Sequence, residues 1–133
     1  MILSDVFLLY DSVISDVETR ETFSDAVIRL SRERNLTGPE VYHGAGIDAK
    51  HYSKIISDRN YQPKKETVFA FLIFFRLDLK EAEELLTTAG YSFNPSSRYD
   101  SLIRSFIARG VYDRRLIDEA MAELDLQLLP QKW

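Results

Sequence analysis

The sequence predicts an all-α protein. Apolar residues recur every three or four positions in each long segment, as on the buried face of a helix. Typical cap residues stand at the starts of these segments, and no run alternates apolar and polar residues as a half-buried strand would. At 133 residues and 45% hydrophobic content, the chain is long enough to bury a sizeable core.

The N-terminal region, residues 1–21, is predicted to be a helix that also acts as a linker. Its apolar stripe consists of Ile2, Val6, Leu9, Val13 and Val17, with Asp5, Ser12 and Asp16 outside it. Two interpretations stay open. The helix packs on its own domain, or it connects to an attached domain or pairs with a second copy of the chain. A second helix is predicted over residues 22–34, with an inward face of Phe23, Ala26, Val27 and Leu30.

Two short helices joined by a glycine turn are predicted next. Thr37 and Glu40 have the spacing of a capping box, which marks the start of the first short helix. Gly46 can adopt the left-handed backbone that a tight helix–helix turn requires. Asp48 is predicted to cap the second helix, over 49–57. The stretch therefore has the pattern of a helix-turn-helix.

This stretch, AGIDAKHYSKIISDRNYQPKKETV, resembles the helix-turn-helix of Cro and the phage repressors, the lambda-repressor-like or XRE family. The positions that match the family pattern are Ala45, Gly46, Ile47, Ser53, Ile55 and Pro63. The resemblance implies a five-helix domain over 22–90 and a bacterial, DNA-binding regulator of transcription. The chain departs from the pattern at Tyr42, where the family usually has a small residue. It also departs at Gly38-Pro39, where a glutamine is frequent.

An apolar run, VFAFLIFF, occupies most of the helix predicted over 64–75. A helix that is apolar on all sides is buried on all sides, so this helix is predicted to form the centre of the core. Phe71 and Phe74 are expected to be fully buried.

Three further helices complete the prediction, over 78–89, 97–108 and 113–124. The last two lie in a C-terminal extension, residues 91–133, that is predicted to pack on the core. The inner stripe of the last helix consists of Leu116, Ile117, Ala120, Met121 and Leu124, and the tail leucines Leu126, Leu128 and Leu129 are expected to fold back. The extension resembles a bacterial group in which a Pro-Ser-Ser-x-x-Asp helix and a closing helix follow a repressor-like motif.

Charge is unevenly distributed along the chain. The net charge is −4, but residues 22–76 carry nine basic and six acidic side chains, a balance of +3. Residues 1–21 carry −4 and residues 77–133 carry −3. The positive balance thus coincides with the helix-turn-helix region, as expected for a surface that meets phosphates.

The sequence gives no indication of an enzyme. There is no cysteine, which excludes disulfides, zinc–cysteine sites and thiol catalysis and fits a cytoplasmic location. His43 and His51 fall on different short helices and belong to no metal-ligand spacing. We therefore predict no catalytic residue, no metal site and no cofactor. Asp5 interrupts the apolar N-terminus, which argues against a signal peptide, and no run approaches the ~20 apolar residues of a membrane span.

Two functions remain open. The first is binding of double-stranded DNA, with the helix 49–57 in the major groove. The residues predicted to contact DNA are Lys50, His51, Ser53, Lys54, Arg59, Lys64 and Lys65. The second is a non-catalytic protein-interaction or adaptor module that retains the repressor-like fold. A homodimer is also predicted, with candidate seams at Val6, Leu9, Val13, Leu128 and Leu129.

Overall fold

The computed structural model describes residues 2–131 and contains eight α-helices in that range. In chain order they are α1 (Leu3–Thr19), α2 (Phe23–Glu33), α3 (Gly38–Ala45), α4 (Ala49–Ser57), α5 (Lys65–Phe74), α6 (Leu79–Thr88), α7 (Arg98–Ala108) and α8 (Arg114–Glu123). Residues 2–131 include no β-strand, so the predicted all-α class is confirmed. Over the same residues, no helix combines the length and the apolar character needed to cross a membrane.

Helix α5 lies at the centre of the core. Residues 67–73 are all buried, because α3 packs on one side of the helix and α6 on another. Phe71 is fully buried, as predicted, and its ring meets that of Phe23 edge-on at 5.7 Å between centroids. The prediction for Phe74 is wrong. This residue is only half-buried, because it stands at the end of α5 beside the backbone of Gly44.

The turn between α3 and α4 depends on Gly46, whose φ is 77°. The following N–H, that of Ile47, donates to the carbonyl oxygen of Tyr42 at 3.0 Å and closes the end of α3. At the start of α3, the Thr37 hydroxyl accepts from the Glu40 N–H, and the Glu40 carboxylate accepts from the Thr37 N–H. This reciprocal pair is the predicted capping box.

Helices α7 and α8 extend the same core. α7 contacts α6 and α8 contacts α7, and their buried side chains join the central cluster through Ile103, Ile107, Ile117 and Met121. The prediction is wrong for two members of the inner stripe of α8, because Leu116 and Leu124 are exposed. Leu124 is the C-cap beyond the last residue of α8, and Leu116 lies about 100° around the helix from the buried Ile117. The tail folds back as predicted, but it buries Leu129 completely, so Leu129 is not available as a dimer seam.

Helix α1 has no buried residue. Of the two interpretations that the sequence leaves open, the structure disagrees with packing of α1 on its own domain. Connection to an attached domain or pairing with a second copy stays open. Helix α1 is joined to the remaining helices at its C-terminal end, where the Arg59 guanidinium donates to the carbonyl oxygens of Glu18 and Arg20 at 3.2 and 2.7 Å. Its apolar stripe, in contrast, stays open to solvent along the whole helix.

Candidate nucleic-acid interface

Helix α4 presents most of its surface to solvent. Its one buried side chain is Ile55, which anchors the helix against α2 and α3. Asp48 fixes the start of the helix, because its carboxylate accepts from the His51 N–H at 2.7 Å. With the inner side held in this way, Lys50, Ser53 and Lys54 are all exposed.

The exposed side of α4 is positively charged. Residues 49–57 contain two lysines and no acidic side chain. Among the residues that the structure describes, neither Lys50 nor Lys54 has a carboxylate within ion-pair distance, and the same holds for Lys64 before α5. These three ammonium groups are therefore available to an external anion. The macrodipole of α5 makes the potential around Lys64 more positive, because Lys64 stands at the N-terminal end of that helix.

His51 is half-buried rather than freely exposed. Its Nε2 lies 3.0 Å from the hydroxyl of Tyr61, so the two groups share a hydrogen bond. Burial lowers the pKa of His51 below its usual value; Asp48 opposes this effect, and Lys54 and Lys64 add to it. His51 is accordingly neutral at pH 7 and offers a hydrogen-bonding edge rather than a positive charge. Tyr61, which sequence analysis did not single out, orients this imidazole.

Arg59 is directed toward the protein rather than toward an external anion. Its Nε lies 3.1 Å from the carboxylate of Asp25, and its Nη2 donates to the two carbonyl oxygens at the end of α1. The pKa of Asp25 is lowered, first by the hydrogen bond from the Thr22 N–H and also by Arg59. Arg59 thus connects the end of α4 to α2 and α1.

Lys65 also has an internal partner. Its Nζ lies 2.5 Å from a carboxylate oxygen of Asp100, and 5.8 Å from the centroid of the Phe69 ring. Asp100 is buried and accepts further hydrogen bonds from the Asn94 N–H and the Ser97 hydroxyl.

The structure therefore divides the seven predicted DNA-contact residues into two groups. Five remain on or beside the exposed side of α4, namely Lys50, His51, Ser53, Lys54 and Lys64, while Arg59 and Lys65 are paired with carboxylates of the same chain.

Tyr42 occupies the α3 position at which the resemblance led us to expect a small residue. Its ring packs against Tyr52 of α4 at 5.7 Å and against His43 at 4.6 Å. Gly38 leaves room for this arrangement, because a Cβ atom there would lie 3.3 Å from the Tyr52 ring. Gly38 thus lets α3 approach the Tyr52 ring closely, and Tyr42 of the same helix packs against that ring.

The C-terminal tail reaches the edge of this surface. Residues 127–131 line an open cavity together with Asp48, His51, Tyr61 and Lys64. Among residues 2–131, no group of three or more histidine or acidic side chains is arranged to hold a metal ion. Comparison of the chain with protein-family models, with curated proteins and with solved structures gave no match.

Proposed function

We propose that this protein binds double-stranded DNA through α4 and regulates transcription, with α2–α6 forming a lambda-repressor-like domain. The observation that carries the proposal is the exposed side of α4, which has unpaired lysines, a hydroxyl and no carboxylate. An α-helix fits the major groove, which is about 12 Å wide. Because α4 is held on one side by Ile55, His51 and Tyr52, the opposite side with Lys50, Ser53 and Lys54 is free for that contact.

The side chains take different roles. Lys50, Ser53 and Lys54 lie on the part of α4 that would face base edges, where lysine donates to guanine and serine to several bases. Lys64 contacts a phosphate, supported by the positive end of the α5 dipole. His51, neutral and oriented by Tyr61, donates or accepts one hydrogen bond at the edge of the contact.

Arg59 and Lys65 act indirectly in this proposal. Since both are held by carboxylates of the same chain, they position α4 and α5 instead of contacting phosphates. The electrostatic contribution per copy therefore comes mainly from three lysines. All three ammonium groups displace counterions from the DNA, whether they approach a base edge or a phosphate, so at about −0.9 for each the slope of log affinity against log salt should be near −3 per copy.

The proposal is tested by selecting bound duplexes from a randomised library and measuring the affinity of the enriched sequence. We expect one sequence to be enriched over the starting pool. Lys54→Ala should cost about 1–3 kcal/mol on that sequence and relax its specificity. Lys80→Ala, which removes an exposed lysine of α6, is the control and should leave affinity unchanged. Failure to enrich any duplex would contradict the proposal.

An adaptor function is the second candidate, and the exposed apolar side of α1 favours it. In that case α4 would contact a protein, and Tyr42 with Tyr52 would supply an aromatic contact beside it. The two functions differ in their response to the lysine substitutions. DNA binding depends on Lys50 and Lys54. A protein contact centred on the tyrosines depends on Tyr52 instead and tolerates the loss of the two lysines.

A further inference from the structure

The exposed side of α1 is the largest apolar surface on the described residues that no other part of the chain covers. On a helix with about 100° between successive residues, nine large apolar side chains fall within an arc of roughly 160°. They are Ile2, Leu3, Val6, Phe7, Leu9, Tyr10, Val13, Ile14 and Val17, and they are between 37% and 71% exposed. A contiguous patch of this kind on a folded chain marks an interaction surface.

The arc contains the spacing of a coiled coil. Leu3, Phe7, Tyr10, Ile14 and Val17 follow one another at intervals of four, three, four and three residues. This is the heptad pattern in which positions a and d face a partner helix. Phe7 and Ile14 take a, while Leu3, Tyr10 and Val17 take d. The seam matches itself, so an identical helix is a suitable partner.

Charge selects the direction of such a pairing. All charged side chains of α1 are acidic, and Asp11 and Glu18 occupy position e of this heptad. In an antiparallel pair, the e columns of the two copies run side by side, and carboxylates would approach one another. In a parallel pair, position e lies beside position g of the other copy, which here holds Val6 and Val13. The parallel arrangement therefore avoids contact between like charges.

The area is sufficient for a stable pair. At the observed exposures, the seven apolar side chains that occupy positions a, d and g offer roughly 600 Å² per copy, or about 1,200 Å² for the pair, which is the lower end of the range for specific protein interfaces. Covering this area removes apolar surface from water without any rearrangement of the core, because α1 contributes no side chain to it.

We propose that α1 binds α1 of a second copy of this chain in a parallel coiled coil. In each copy, the hydrogen bonds from Arg59 to the carbonyl oxygens at the end of α1 then link the paired helix to the end of α4. Where the proposed DNA binding also holds, the dimer would present two copies of α4 to two half-sites. The pairing itself does not depend on DNA binding.

The test is sedimentation of the full chain over a range of concentrations, with two adjacent substitutions compared. Phe7→Glu places a charge in the seam, whereas Leu8→Glu places the same charge opposite the middle of the arc, on a residue that is 68% exposed. We expect a dimer that Phe7→Glu weakens about 30-fold or more, as for loss of a central aromatic anchor. Leu8→Glu should change the dimerisation constant by less than about threefold, as expected outside the interface. Circular dichroism should show both variants folded, since neither residue enters the core.

Salt and cross-linking add independent readouts. Because all charged side chains of α1 are acidic, the two paired helices repel one another, and dimerisation should strengthen as salt screens this repulsion. The chain lacks cysteine, so Leu3→Cys should form a disulfide between copies, and Leu8→Cys should not.

A monomer at high micromolar concentration would overturn the proposal, including one that binds phosphatidylcholine vesicles instead. So would equal effects of Phe7→Glu and Leu8→Glu, or a disulfide that forms only between Leu3→Cys and Val17→Cys chains. A dimer that binds no DNA would contradict the proposed function alone.

Discussion

The ammonium group of Lys65 lies 2.5 Å from a carboxylate oxygen of Asp100, although 35 positions separate the two residues in the chain. The carboxylate of Asp100 is 7% exposed and also accepts from the Asn94 N–H at 2.7 Å. The Asp100 side chain thus joins the first turn of α5 to the loop before α7. The C-terminal extension is fastened to the central helix at this point.

Asp100→Ala should therefore destabilise the whole chain. The substitution removes the ion pair and leaves the Asn94 N–H without its partner, for an expected cost of about 2–3 kcal/mol in urea unfolding. Glu119→Ala is the control, because its pair with Arg115 is exposed on both sides and should contribute less than about 1 kcal/mol. Equal losses for the two variants would show that the Asp100 contacts do not fasten the extension.

Two tyrosines should respond in opposite ways to loss of the hydroxyl. The Tyr99 hydroxyl is buried and has no hydrogen-bond partner among the described residues, and burial raises its pKa to about 12. Tyr99→Phe should therefore be neutral or stabilise the fold by up to about 1 kcal/mol. Tyr112→Phe should cost about 1 kcal/mol, because its hydroxyl donates to the Leu77 carbonyl oxygen at 2.6 Å. Unfolding midpoints that fall equally in both variants would contradict this distinction.

Gly44→Ala should destabilise the chain despite the higher helix propensity of alanine. A Cβ atom at this position of α3 would lie 2.0 Å from the Phe74 ring, so the ring or the helix must move. We expect a net loss of about 1–3 kcal/mol, as for other overpacked contacts. The double variant Gly44→Ala/Phe74→Leu should recover part of it. An unchanged or raised melting temperature for Gly44→Ala alone would refute the close approach of α3 to α5.

Stability should fall on acidification below about pH 6.5 through His51. The pKa of His51 is lowered in the folded chain, chiefly by burial, so the unfolded chain takes up a proton first. The free energy of unfolding should then decrease as the pH falls from 6.5, the ordinary pKa of histidine, to the lowered pKa of His51 in the folded chain. Below that pKa it should level off. His51→Gln should flatten this part of the profile, and His43→Gln is the control. A flattening in the His43 variant instead would contradict the assignment.

The sequence predicts local features of this fold well and distant contacts poorly. The caps at Thr37, Asp48 and Ser97 were predictable, because each depends on residues within three positions of one another. The partners of Arg59 and Lys65 were not, since Asp25 and Asp100 lie more than 30 positions away. A basic residue beside a predicted DNA-reading helix looks the same in the sequence whether it faces a phosphate or a carboxylate.

Helix α1 shows the same limit for apolar residues. Periodicity identifies which face of a helix is apolar, but it does not indicate what covers that face. The stripe of α2 is buried in the core, whereas the stripe of α1 is open. Phe74, Leu116 and Leu124 deviate for a related reason, since each lies at the end or the edge of an otherwise buried stripe.

The measurement that tests the account most directly is the salt dependence of affinity for a labelled duplex. The parent chain should bind with a slope near −3 per copy, and Lys54→Ala and Lys64→Ala should each reduce the steepness by about one unit. Lys80→Ala should leave the slope unchanged. Lys65→Ala should leave it unchanged as well, provided that the variant stays folded at the temperature used, because its ammonium group is held by Asp100. A parent chain that binds no duplex more tightly than about 10⁻⁴ M at low salt would contradict DNA binding by α4.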